Sequence, residues 1–186
     1  MSEQGSHSKF RPHRLFKLSE RKKISRQKIV IDYLYLDLNT CDRCIGTDQV
    51  LEEVIHVISP AFQIAGYDIL YNKVEMETEP IAIRNEFVSS PTIRVNGQDI
   101  CLSVKESSCG CCSDISGTPV DCRVFEFEGR DFDVPPKEMI ATAIFEAVFS
   151  GVERETEKDV YHLPDNLKTF YAGKQDKMVL PEDSCC

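Results

Sequence analysis

The sequence predicts an α/β fold, a βαβ unit followed by ββα, with a mixed central sheet and flanking helices. Three observations carry this reading. The segment KIVIDYLYLDL (28–38) is apolar on both faces, as a strand covered on both sides must be. A helical stripe follows it, formed by Val50, Leu51, Val54, Ile55 and Ile58. Further on, Asn96-Gly97 sits between two short apolar runs, the signature of a tight hairpin, and a last amphipathic helix follows.

Each element has its own local reason. Asn39-Thr40 is suited to end the first strand and cap the helix over 49–58, which Ser59-Pro60 should end or kink. YDILYNKVEM (67–76) reads as a second strand. PIAIRNEF (80–87) reads as a short helix with proline in its first turn. SSPTIRVNGQDICL (89–102) holds the hairpin. Residues 105–122 are polar and rich in Cys, Ser and Gly, and read as a loop or an inserted lobe. RVFEFEGRDFDV (123–134) is a second hairpin turning at Gly129. KEMIATAIFEAVFSG (137–151) is a helix ended by Gly151. LPDNLKTFY (163–171) is a short docked helix.

The chain has 186 residues, 41% hydrophobic and 28% charged, enough for a real core. No apolar run is long enough to cross a bilayer, and no secretory h-region opens the chain, so the expected compartment is the cytoplasm. Of the net charge of −9, residues 1–28 contribute +7, and the remainder carries −16. The basic stretch reads as a solvated, flexible tail. The acidic remainder argues against nucleic acid as partner. GTDQV lacks the glycines and lysine of a phosphate-binding loop. The expected layout is a tail (1–28), an α/β domain (29–151) with an insertion at 105–134, and a C-terminal extension (152–186).

Nine cysteines dominate the chemistry: Cys41, Cys44, Cys101, Cys109, Cys111, Cys112, Cys122, Cys185 and Cys186. An odd number in a reducing compartment points to redox chemistry or metal, not to a disulfide framework. Cys41 and Cys44 form a CxxC after the first strand, at the start of a helix. After Cys44 the next cysteine is Cys101, so a short-range zinc knuckle is excluded. A helix N-terminus stabilises a thiolate, which makes Cys41 the candidate nucleophile and Cys44 the resolving thiol. Arg43 supports that acidity and Asp42 opposes it. Ser90-Pro91, at the head of a strand facing the CxxC, is expected to be cis and to present backbone to a substrate.

Thr40-Cys41-x-x-Cys44, SSPTIRVNG, ESSCGCC and DCRVFEFEG together resemble a thioredoxin-like family of uncharacterised prokaryotic proteins that carries only a domain-of-unknown-function label. The likeness spans roughly residues 29–171. It implies a thioredoxin-like fold with a CxxC site and an inserted Cys-rich hairpin lobe, and it supplies no established reaction. Thr40 stands where thioredoxins carry Trp, and Asp42-Arg43 where they carry Gly-Pro. Both departures point to a specialised partner.

The remaining cysteines admit several readings. Cys109, Cys111, Cys112 and Cys122 can form a thiolate site for zinc. They can clamp a softer ion such as Hg(II) or As(III). They can also relay electrons from Cys41-Cys44 through disulfides. Adjacent Cys111-Cys112 is awkward for one ion in extended backbone, and Gly110 allows a tight turn there. Cys101 suits a buried structural thiol. Cys185-Cys186 is read as a pair of shuttle thiols, and resembles the terminal pair of mercuric reductases. The function expected is thiol–disulfide exchange on a protein or small-molecule disulfide. Cys41 and Cys44 are its catalytic residues, Thr40, Ser90 and Pro91 bind the substrate, and no cofactor is required. The alternative is binding or delivery of a thiophilic metal or metalloid.

Overall fold

Residue β-propensity and alternating burial make Gln27–Tyr35 the central strand, β1. The computed structural model describes residues 26–101, 103–150 and 160–179. The basic segment up to residue 25 and the Cys185-Cys186 pair lie outside the described residues. No helix among the described residues is long and apolar enough to cross a membrane.

β2 (Tyr67–Glu75) pairs parallel with β1, Ile29 opposite Ile69. β3 (Thr92–Val95) pairs antiparallel on the other side, Tyr33 opposite Ile93. β4 (Gln98–Asp99) completes the order β2-β1-β3-β4. Its turn is the one expected, with Asn96 at φ +51° and Gly97 at φ +83°, a conformation in which asparagine and glycine are favoured. Three further strands form a second, antiparallel sheet: β5 (Lys105–Ser108), β6 (Asp121–Phe127) and β7 (Arg130–Phe132).

Alternation along β1 creates two apolar clusters. Ile29, Ile31 and Tyr33 pack with Leu51, Val54, Ile58 and Phe62 of α1 (Asp42–Ile64) and with Ile140 and Ile144 of α4 (Lys137–Phe149). Leu34 and Leu36 join the other cluster. It includes Ala82 of α2 (Glu79–Arg84), Cys112 of α3 (Gly110–Ser116), and Leu167, Phe170 and Tyr171 of α5 (Asp165–Val179). Each fully buried Leu or Phe there stabilises the fold by about 1.5–3 kcal/mol.

Several elements differ from expectation. α1 starts directly after Cys41, as the placement of the CxxC at a helix start predicts, but it passes through Pro60 to Ile64. A mid-helix proline costs about 3 kcal/mol. Burial of Phe62 against Tyr67, Phe145 and Phe149 offsets part of that cost. Ser59 Oγ also donates to the Ile55 carbonyl, 2.6 Å. The second hairpin strand is short, Gln98–Asp99, and the Asp99 side chain pairs with Arg123. Residues 105–122, expected as a loop, contain β5, α3 and the start of β6. The C-terminal helix runs to Val179, beyond the expected Tyr171. Gly173 allows this helix to lie against α3: a Cβ there would meet the Ser116 carbonyl oxygen at 2.5 Å.

Candidate metal centre

Cys41 occupies the junction of β1 and α1. It is the N-cap residue, with extended backbone (φ −84°, ψ 103°) and no side-chain cap of its own. The preceding loop is held by Asp37 instead. Its Oδ2 accepts from the backbone N–H of Asn39 (2.9 Å), Thr40 (2.5 Å) and Cys41 (3.1 Å), and from the Thr40 hydroxyl (2.9 Å). Burial pushes the Asp37 carboxyl up, but these bonds outweigh it and hold the group below its ordinary value. Asn39 and Thr40, expected to cap the helix, are donors to Asp37.

The other thiols arrive on the inserted lobe. β5 and β6 pair with Ser107 opposite Cys122 and Ser108 opposite Asp121. The Cys109 N–H donates to the Val120 carbonyl (2.9 Å), and Ser113 Oγ bridges the Cys109 carbonyl and the Val120 N–H. Cys109 is the N-cap of α3 and Cys112 lies three residues on, so the two sulfurs share one face. Cys111 is rotated off that face, as an adjacent helical residue must be, and is only half-buried. Asn166 fixes β6 from α5, accepting from the Asp121 N–H (2.9 Å) and donating to its carbonyl (2.7 Å).

The result is a cluster of four buried sulfurs, from Cys41, Cys109, Cys112 and Cys122, all within 4.8 Å of one another. Cys112 Sγ is 3.7 Å from Cys41 Sγ and 3.3 Å from Cys122 Sγ. A zinc–sulfur bond of about 2.3 Å gives a tetrahedron with sulfur–sulfur edges of about 3.8 Å. The structure therefore brings three of the four expected lobe cysteines together with Cys41, and leaves Cys111 outside. Leu163, Leu167, Phe170 and Tyr171 belong to the same apolar cluster as the four thiols.

Arg43 holds the lobe against α1. Its guanidinium donates to the carbonyls of Ser107 (3.2 Å), Cys122 (3.1 Å) and Ser108 (3.1 Å) and to Ser107 Oγ (3.0 Å), and it pairs with Asp133 (2.9 Å). It grips backbone on the same two strands that deliver Cys109 and Cys122.

Cys44, three residues into the same helix, lies behind the cluster. It is buried, in contact with Ser90 Oγ at 3.3 Å, and within hydrogen-bonding reach of Cys41. Tyr33 donates to its carbonyl, 2.6 Å. The Ser90–Pro91 peptide is cis. Ser90 and Pro91 are both buried, and the Ser90 carbonyl accepts from the Arg123 N–H of β6 at 2.7 Å. Thr40 is exposed and bonded to Asp37. Cys101 lies apart from the cluster, beside Arg123, and burial pushes its thiol up to about 11, which makes it a poor nucleophile.

The electrostatics follow from crowding. Hydrogen bonds from Cys109, then Cys112, Cys122 and Cys44, hold the Cys41 thiol far below its ordinary value despite burial. Bonds from Cys112 and Cys122 bring Cys109 down to about 7. Cys44 is pushed up by its bond to Cys41 and by burial. Cys112 and Cys122 are pushed up chiefly by Cys109. Four thiolates this close cannot all ionise in an apolar pocket without a cation. The donor set suits a soft divalent ion, and its sulfurs are also close enough for two-electron disulfide chemistry.

Sequence reasoning missed three parts of this site: Cys41 as a member of the lobe cluster, Asp37 as the residue that orders the loop before α1, and Arg43 as a clamp. An aspartate two to four residues before such backbone N–H groups signals a turn of this kind. The partners of Arg43 lie 64 residues away or more and leave no local signature.

No curated protein and no solved structure matches the chain. A family model described as Domain of unknown function (DUF2703) matches residues 29–144, well over half of the sequence. The chain therefore belongs to the DUF2703 family.

Proposed function

We propose that the protein binds a thiophilic divalent metal, of which zinc is the type case, through Cys41, Cys109, Cys112 and Cys122. The observation that carries this reading is the meeting of four buried sulfurs from three chain segments, one edge measuring 3.7 Å. Packing thiols so closely costs free energy through repulsion and desolvation, and a bound cation offsets it. The N-terminus of α1 directs its positive dipole end at Cys41, which lessens the excess negative charge of a tetrathiolate site.

The reading is tested on protein expressed and purified without chelator. Elemental analysis should find about one metal ion per chain. Cobalt substitution should give the visible bands of a tetrahedral thiolate complex. Serine at position 41, 109, 112 or 122 should abolish that spectrum. A metal-free protein that also fails to take up zinc or cobalt would overturn the proposal.

The second reading is thiol–disulfide exchange in a thioredoxin-like fold. The sheet order β2-β1-β3-β4, the CxxC at the start of α1 and the cis Ser90–Pro91 bond favour it. Under that reading Cys41 attacks and Cys44 resolves. The closed cluster weighs against it, since Cys41 has no exposed surface and β6 already occupies the Ser90 carbonyl. An insulin-reduction assay with a dithiol donor separates the two, with no turnover expected from the metal protein.

A further inference from the structure

Four thiols complete a tetrahedral site, yet the pocket holds a fifth. Cys44 has no exposed surface, stands outside the four-sulfur group, and lies three residues beyond Cys41 in the first turn of α1. It also contacts Ser90 Oγ at 3.3 Å. Cys41 is thus a sulfur that either the metal proposed above or Cys44 can engage. Residues three apart at a helix start have Cβ atoms about 5–6 Å apart, close enough for a disulfide after a small local adjustment. The extended backbone of Cys41, outside the helix proper, supplies the freedom for it.

We propose that Cys44 makes the site a redox-gated one, in which formation of a Cys41–Cys44 disulfide removes one of the four ligands and releases the metal. This inference rests on the metal-binding reading above. The oxidant is a hydroperoxide. The Cys41 thiolate, freed from the metal, attacks the terminal peroxide oxygen. The O–O bond breaks, sulfenic acid forms, and the other oxygen leaves as an alcohol or as water after protonation. Cys44 then attacks the Cys41 sulfur. The S–S bond forms, the S–O bond breaks, and the Cys44 proton departs with the hydroxide as water. Two electrons pass from the sulfur pair to the peroxide. The metal keeps only Cys109, Cys112 and Cys122.

Cys44 is suited to the step because it is the resolving thiol that the metal does not use. Bridging Cys112 to Cys122, 3.3 Å apart, would consume two ligands and leave Cys44 without a role. Because Cys41 is fully buried, the reaction runs through the opening that frees its sulfur.

The test uses the zinc-loaded full chain, hydrogen peroxide, a chromogenic chelator to follow release, and mass-spectrometric mapping after alkylation. Wild type should release its zinc as a Cys41–Cys44 bridge accumulates. Cys44→Ser should load zinc as wild type does, form no bridge to Cys41, and after excess peroxide and then dithiothreitol reload at least about five-fold less zinc than wild type, since an unresolved sulfenic acid over-oxidises irreversibly. Cys44→Ala serves the same purpose should serine fold poorly in the buried position. Reloading by both variants within about five-fold of wild type overturns the proposal. So does a Cys112–Cys122 bridge as the main product, or zinc that peroxide does not release. Failure of wild type to load zinc at all would instead overturn the metal-binding reading.

Discussion

Replacing Arg43 with alanine tests whether the lobe must be clamped for the four sulfurs to meet. The guanidinium makes four hydrogen bonds to lobe residues and one ion pair. These are unequal. Ser107 and Ser108 are exposed, so water can replace the arginine there at small cost. Asp133 is 63% exposed, so its pair is worth about 0–1 kcal/mol. The Cys122 carbonyl lies on a buried residue, and losing a charged donor there costs about 1–3 kcal/mol. The sum is about 1–4 kcal/mol, drawn from docking of the hairpin that carries Cys122. At about 1.4 kcal/mol per decade, metal affinity should weaken about 5- to 700-fold. Competition against a chromophoric chelator measures that directly, with circular dichroism to confirm the fold. Arg43→Lys keeps the charge but loses the fork, and should fall between. A folded Arg43→Ala protein within about three-fold of wild-type affinity would refute the reasoning, because a clamp that contributes energy cannot be removed without effect.

Four further outcomes follow from the same geometry. Cys111→Ser should keep full metal stoichiometry while Cys112→Ser loses it, read by elemental analysis, because only Cys112 faces the cluster. Gly173→Ala should destabilise the protein by about 1–3 kcal/mol in urea unfolding, since its Cβ would press on the Ser116 carbonyl and Thr118. Asp99→Ala should cost about 3–5 kcal/mol in the same assay by leaving the fully buried Arg123 guanidinium without its carboxylate. Removing metal with a strong chelator should raise hydrogen exchange in 105–127 and 163–171, and should leave the strands of the α1–α4 cluster protected, because that cluster has its own core.

The fold was legible where the signal is local. β1 reads as central because both its faces carry apolar residues, and it lies between β2 and β3. The Asn96-Gly97 and Gly129 turns were readable from the positive φ they require. α3 was missed because GCCSDIS is short and polar, and its helix is held by Ser113, Ser116 and packing on α5 instead of by propensity. Pro60 did not end the helix, which continues to Ile64 with Phe62 buried. The lobe cysteines read as a metal or redox group of Cys109, Cys111, Cys112 and Cys122, which is not the set the fold assembles. The exclusion of Cys111 needed the helical phase of α3, and the inclusion of Cys41 needed β5 and β6 to fold back over α1. That closure joins residues separated by 71 positions, and periodicity reports only on neighbours.

The closure also sets the metal and disulfide-exchange readings against each other at one bond. A substrate chain that paired beside the CxxC would need the Ser90 carbonyl, and that oxygen already accepts from the Arg123 N–H at 2.7 Å. Arg123 immediately follows Cys122, so freeing the Ser90 carbonyl means lifting the strand that carries a ligand. Under the two proposed readings, metal binding and pairing with a substrate chain would exclude each other at this one hairpin. Bound zinc should suppress any disulfide reductase activity in proportion to occupancy, measured by insulin reduction across a zinc titration. Activity that persists at full occupancy would show that the carbonyl is not the docking point and would break the link between hairpin and site.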